Sequence, residues 1–445
     1  MNTALPFPIT PPMSSERAAE IAAHFDLRDL PADFYANPYP VYAALRECTP
    51  IKPMPDGSYF LTRYADIVAV YRDAQTFSSD KKIEFAPKYN IAPYDASNPA
   101  PLFEHHTTSL VFNDPPLHTR VRSSLMGALT RRAIEDLEPG LVRLVDGLLD
   151  TIQAQGGGDL IEDFAAAIPV EIIGNLLGVP HADRGPLRAW SLAILGALEP
   201  RVSPMQAERG NRSVREFTDY LSVLVKHRRQ HPGDPAHDVL TRLIQGQGAQ
   251  TGVPDSAEPL SETELLHNCV FILNAGHETT TNLIGNALVA LQAWPDEKQK
   301  LLSKLKLLTS NNQGLEPNLT LMVDEFLRFE SSNQLSNRRA LHACELGGVT
   351  LPAGALLTLC IGAANRDPAQ FADPDRLYLA RTPNKHLAFG FGIHQCAGLS
   401  LARLEGRVAI SRFLMRFPNY HLTQAPTRGG RARFRGFLNA PFAVG

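Results

Sequence analysis

Residues 389–398 read FGFGIHQCAG, a single cysteine, Cys396, set among glycines, an aromatic ring and a histidine. A cysteine met in isolation is more often a small core residue than a ligand, so the frame carries the information. Gly390, Gly392 and Gly398 allow close approaches that a side chain would block, and a flat group can lie against such a segment. Backbone N–H groups in a turn after these glycines can point at a thiolate sulfur and tune a metal bound to it. The next stretch, AGLSLARLEGRVAISRFLMRF, is strongly helical. Cys396 therefore sits just before a helix N-terminus, whose partial positive charge favours the thiolate. A zinc cage is a poor alternative, because His394 and Cys396 are too close to share one tetrahedral ion and no second cysteine pair comes after them. One thiolate beside a flat cofactor fits better.

The rest of the chain supplies room for such a group. Its 445 residues contain no linker-like or repetitive tract beyond a proline-rich start, and 44% are hydrophobic, enough for one large core with a cofactor inside. Residues 1–20 read as a mobile lead-in and residues 21–445 as a single domain. The formal net charge of −3 argues against nucleic acid or an anionic membrane as a partner. Five scattered cysteines, none in a C-x-x-C pair, point to reduced thiols and a cytoplasmic protein. The longest apolar stretch, CVFILNAGHETTTNLIGNALVALQAW, carries His277 and Glu278 at its centre. A buried helix of a soluble protein suits it better than a membrane span.

Amphipathic periodicity in RRAIEDLEPGLVRLVDGLLDTIQAQ and in DLIEDFAAAIPVEIIGNLLG, the latter stopped by Gly178, predicts helix after helix through the middle. Strand-like runs occur near the two ends, so the fold class is mainly α with a minor β component. Ser261 opens a capping box with Glu264, which starts a long helix that Pro295 ends. Two stretches read as long irregular connections, Phe77 to Pro116 and His231 to Leu260, the first a candidate wall for substrate access. Adjacent His105 and His106 within it read as polar surface.

FGFGIHQCAG resembles the haem-binding signature of the cytochrome P450 family, F-G-x-G-x-[HR]-x-C-x-G, with every fixed position filled. The resemblance implies haem b as cofactor, Cys396 as its axial ligand, His394 facing a propionate, and Phe389 and Gly398 in the binding frame. Other motifs fall in the order the family requires. AGHETT, Ala275 to Thr280, is similar to its oxygen-binding motif. There Ala275 and Gly276 would lie beside the haem and Glu278 and Thr279 would relay protons for O–O cleavage. A packing notch is the plain alternative for the glycine. LMVDEFLRFES holds Glu325 and Arg328 in the family's E-x-x-R spacing, and Arg376 lies where a third member is expected, the trio bracing the cysteine loop. His118 and Arg122 in DPPLHTRVR, with Arg338 or its neighbour Arg339, resemble propionate clamps. One departure is Ser332, standing where the family commonly has proline.

By this resemblance the chain is expected to be a monomeric haem-thiolate monooxygenase with a P450-like single-domain fold and a long central helix over the haem. It would insert one atom of O2 into a hydrophobic small molecule by hydroxylation or O-dealkylation. Electrons would come from a separate ferredoxin or flavodoxin with its reductase, with Arg131, Arg132, Arg403 and Arg407 as candidate docking charges. A peroxide-driven hydroxylase and a haem-based sensor are the competing readings. Terpenoid, fatty-acyl and small aromatic substrates all stay open.

Overall fold

The computed structural model describes residue 7 and residues 13–89, 100–235, 238–245, 260–310 and 319–445. Six helices build the site and are labelled in chain order: α1 Pro101–Thr108, α2 Leu117–Ala128, α3 Ala167–Leu177, α4 Glu262–Ala293, α5 Thr320–Phe329 and α6 Leu399–Arg416. A five-stranded sheet flanks them, formed by β1 Ile51–Pro53, β2 Tyr59–Leu61, β3 Phe77–Ser78, β4 Leu335–Ala340 and β5 Leu356–Cys360 in the order β1-β2-β5-β4-β3. Within this sheet β2 and β5 pair in parallel, and the other neighbours are antiparallel. The fold is mainly α with a minor β component, as its periodicity predicts.

Helix α4 is the axis of the molecule. Ser261 caps it with both bonds of a capping box, and its 32 residues span about 48 Å at 1.5 Å per residue. Apolar residues surround nearly its whole circumference from Leu283 to Leu291, so it is buried on all sides. Helices α3, α5 and α6 contribute to the same core, through Ile173, Val323 and Val408 among others. No helix among the described residues is long and apolar enough to cross a membrane.

Several expectations need correction. The stretch from Phe77 to Pro116 is not one irregular loop, since it holds β3, a helix at Lys82–Lys88 and α1. Pro101 at the first turn of α1 is where proline suits a helix, and the polar composition masked that start. His231 to Leu260 includes the short helix Val239–Gln245, while residues 246–259 lie outside the described residues. The lead-in does not extend to residue 20, because Ser14 caps a helix over Ser15–His24. Phe7 is itself buried between Phe329 and Phe437.

Glu325 and Arg328 form a fully buried, bidentate pair at 2.8 and 2.9 Å. The third member is Arg381, not Arg376. Arg381 Nε donates to both Glu325 oxygens at 3.1 and 3.3 Å, whereas Arg376 offers its carbonyl to Arg328 Nη2 and is itself exposed. The Tyr378 N–H and the Asn384 amide complete the carboxylate's partners. Arg328 also donates to the carbonyls of Asn365 and Pro374, so one helix turn pins the chain that leads into the cysteine loop.

Removing one partner of a buried charge leaves the other uncompensated, at a cost of about 3–5 kcal/mol. Arg381→Ala is therefore expected to lower the unfolding temperature and haem content sharply, while Arg376→Ala changes stability by no more than about 0.5 kcal/mol. Thermal unfolding of the two variants side by side decides the assignment, and equal losses would refute it.

Candidate functional site

The cysteine loop is closed by its own backbone. Gly390 N–H donates to Leu387 O at 2.8 Å, Gln395 N–H to Gly392 O at 3.0 Å, and Cys396 N–H to Phe389 O at 2.8 Å. Two glycines are needed for conformation, since Gly390 and Gly392 have φ of 64° and 73°. A side chain on Gly392 would also run into the Tyr71 carbonyl. Gly398 differs: its φ is −92°, and open space lies where a Cβ would stand. Its contribution is room beside Cys396 in the wall of a cavity of about 330 Å³.

Helix α6 starts three residues after Cys396. Burial nevertheless pushes the Cys396 thiol up, against the opposing pull of the Gly398 N–H, Arg122 and Arg403. The helix start alone does not hold the thiolate. A metal cation would, because a coordinating thiol is deprotonated outright.

One rim of the cavity collects basic side chains. The cations Arg122 of α2, Arg338 of β4 and Lys81 line it, and His394, with His118 of α2 packed on it, adds neutral rings. The His118 and His394 rings lie 4.2 Å apart between centroids. His394 is pushed down to about 2 by burial, then by Arg338, His118, Arg122 and Lys81, and its Nε2 has no hydrogen-bond partner among the described residues. Arg338 is buried over the Tyr71 ring and donates to the Asn337 carbonyl through Nη1. Buried cations gathered in this way are costly unless an anion joins them. A flat group with carboxylates on its edge meets that demand, and the residues fit haem. Strand alternation decides between the neighbouring arginines: Arg338 lines the cavity, and Arg339 pairs with Ser78 at the strand edge and does not.

The opposite wall is α4. Ala275 is exposed to the cleft, and Thr279 Oγ1 donates back to its carbonyl at 2.7 Å, as the spacing of the motif predicts. Gly276 lines the cavity, but the position its side chain would take is filled by Ile173 of α3. Glycine here is a packing notch as well as a wall. Ser332 donates its hydroxyl to Thr279 O at 2.8 Å, a bond that proline in its place could not make.

Glu278 is buried and held by Arg431, with its second oxygen unpartnered among the described residues. Burial raises its carboxyl to about 7, with Arg431 pulling the other way. Arg431 was not legible in the sequence, because it comes from a Gly-Gly-Arg turn 153 residues away. Arg431 also lines a second, polar cavity of about 400 Å³. Among the candidate docking charges, Arg403 is bound to Asp324 and Arg407 to Glu138, so neither presents a free charge.

The histidines also need correction. His105 and His106 are not surface residues: both are buried in α1 and line the cavity that Cys396 lines. Nothing in linear spacing signalled this, because their partners, Asn274, His267 and Tyr89, come from other elements.

A half-buried cysteine in the wall of a cavity shared with a helix that carries an acid–threonine pair, beside a carboxylate-seeking rim, defines a haem-thiolate enzyme. The chain matches the Cytochrome P450 family model over residues 198–428. It is 36% identical over 393 residues to the vitamin D(3) 25-hydroxylase of Pseudonocardia autotrophica, covering 87% of this chain and 88% of that one. The biotin biosynthesis cytochrome P450 of Bacillus subtilis (strain 168) is 32% identical over 397 residues, covering 88% and 92%. The crystal structure of P450BioI with hexadec-9Z-enoic acid ligated acyl carrier protein superposes with a TM-score of 0.82 at 30% identity, over 93% of this chain and 99% of that one. This protein belongs to the cytochrome P450 family. It is a cytochrome P450 monooxygenase, and its cofactor is haem.

Arg338→Leu is expected to lower haem retention on gel filtration, while Arg339→Leu retains haem as the parent does. The reverse order would move the clamp to Arg339.

Proposed function

We propose that this chain inserts one atom of O2 into a hydrophobic organic substrate, by hydroxylation or O-dealkylation, with electrons from a separate ferredoxin or flavodoxin and its reductase. The observation that carries this reading is the arrangement of Thr279, Glu278 and Arg431 on the helix across the cavity from Cys396 and beside it. Cys396 would hold haem through its sulfur, and the bound group would supply the oxygen-activating chemistry. His118, Arg122, Arg338 and His394 would hold its carboxylates, and Gly398 would leave it space beside Cys396.

Thr279 and Glu278 manage protons. The Thr279 hydroxyl is tied to the helix carbonyl, so it stands at the cleft in one orientation. A Glu278 carboxyl near 7 is half protonated at neutral pH, which suits a group that must both take and give a proton. Arg431 bonds that carboxyl and also lines the polar cavity, so Glu278 lies one side chain away from that cavity. A peroxide-driven hydroxylase has no use for such a pair, so the O2 route is favoured.

The reduced carbon monoxide complex is expected to show the red-shifted Soret band of thiolate-ligated haem; a histidine-type band would sink this reading. Thr279→Ala should bind haem and substrate normally but divert electrons to hydrogen peroxide, with product per electron falling at least about tenfold. Full coupling in that variant would remove Thr279 from the relay.

The coupling of electrons to product should also depend on pH through Glu278. In the parent, an inflection is expected near 7, the carboxyl being protonated below it and ionised above. Arg431→Ala removes the cation that favours the ionised form, so the inflection moves up in pH, and Glu278→Gln abolishes it. A profile unchanged in both variants would exclude the carboxyl.

A further inference from the structure

Resting on the monooxygenase reading, we infer that Arg433 is the anchor for a carboxylate on a hydrophobic substrate. Residues 431–435 read RARFR, and the fold treats the three arginines differently. Arg431 holds Glu278, and Arg435 holds Glu330. The guanidinium of Arg433, between them, bonds to no carboxylate among the described residues. Its Nε donates to Leu198 O at 3.0 Å, its Nη1 to Leu335 O at 3.0 Å and its Nη2 to Asn337 Oδ1.

Those three bonds set the charged head in the cavity wall. Leu198, Leu335 and Asn337 all line the cavity, as does Arg433 itself, so the guanidinium bridges the segment at Leu198 and strand β4. Arg433 is only half-buried there, among buried Leu195, Leu198 and Phe434. A guanidinium carries five N–H donors, and three are used. One hydrogen is left on Nη1 and one on Nη2. Two donors in one plane suit the two oxygens of a carboxylate.

The carboxylates that act on Arg433, Glu199 and Glu84, are committed elsewhere. Glu199 accepts the backbone N–H groups of Ala432, Arg433 and Phe434 at 2.8, 3.0 and 3.4 Å, and Glu84 pairs with Lys81 at 2.8 Å. Burial lowers the Arg433 guanidinium from its ordinary value, with both carboxylates pulling the other way. Burial, and then Arg433, push nearby Lys88 down to about 7. A cation taken out of water without a contacting anion is costly, and a ligand carboxylate offsets that cost.

The other cations that line the cavity have different duties. Arg122 and Arg338 are assigned to the haem carboxylates, and Lys81 is paired with Glu84 and only 2% exposed. Arg433 is the cation left for a substrate. The lining acid Glu405 is raised to about 8 by burial, so it is neutral at physiological pH and does not repel an anion. The remaining wall at Leu110, Leu195, Leu198 and Phe271 is apolar. A hydrocarbon body with one carboxylate matches both features.

The test compares acids with their own methyl esters on three frameworks: dodecanoic, 4-butylbenzoic and 1-adamantanecarboxylic acid. Binding to the holoenzyme is read twice, by the haem spin-state shift and by the ligand-induced rise in unfolding temperature. At least one acid is expected to bind about tenfold more tightly than its ester. In Arg433→Met, which keeps an apolar stem, that advantage should fall to within about twofold while ester binding stays as in the parent. Arg433→Lys, which restores a cation, should recover part of it. If no acid outbinds its ester in the parent, the inference is overturned, and this arm needs no variant. A preference that survives Arg433→Met would also overturn it, as would equal losses of acid and ester, which mark a structural brace. Neither measurement requires reduction, so these results bear on the anchor, whereas the reduced carbon monoxide spectrum of the parent bears on the haem-thiolate reading.

Discussion

Everything at the site hangs from one buried carboxylate. Glu325 accepts from Arg328, Arg381, the Tyr378 N–H and Asn384, so its charge is compensated in a region that excludes water. A single buried ion pair is weak evidence for stability; this one has its lone pairs fully engaged. Arg328 extends the network to carbonyls between Asn365 and Arg376, and Asn365 Oδ1 takes the Leu387 N–H at 2.7 Å. The preceding residue on helix α5, Asp324, reaches His386 and Arg403 on either side of the cysteine loop. One turn of helix thus sets where Cys396 stands.

Helix α4 works against this fixed frame. Its all-round apolar C-terminal half is locked in the core, while its middle carries Thr279 at the cleft and Glu278 just behind it. The two walls serve opposite demands. The rim at Arg122 and Arg338 concentrates positive charge and needs an anion. The wall around Leu110, Leu195, Leu198 and Phe271 is apolar. A flat group with carboxylates on its edge is complementary to the first surface and a hydrophobic substrate to the second, and neither could replace the other.

Much of this was legible in residue order. The long helix, its capping box and its stop at Pro295 follow from local rules, as do the Thr279 back-bond and the Glu325–Arg328 pair, because each involves residues three or four apart. Arg376 was a reasonable third member by spacing, yet the backbone bends so that Arg381 arrives instead, and side-chain direction in an irregular segment has no period to read. The same limit hid α1, whose polar, proline-led sequence resembles a loop until its histidines are seen packed on α4.

The sequence by itself determined the cofactor frame, the helical core and the acid–threonine pair, since each is written in short-range spacing of residues with distinct chemistry. Only the tertiary structure decided that Arg431 holds Glu278 across 153 positions, that Arg338 rather than Arg339 faces the cavity, and that His105 and His106 are buried. Those outcomes depend on which atoms lose water together. Desolvation is a property of packing between distant segments, and no local pattern encodes it.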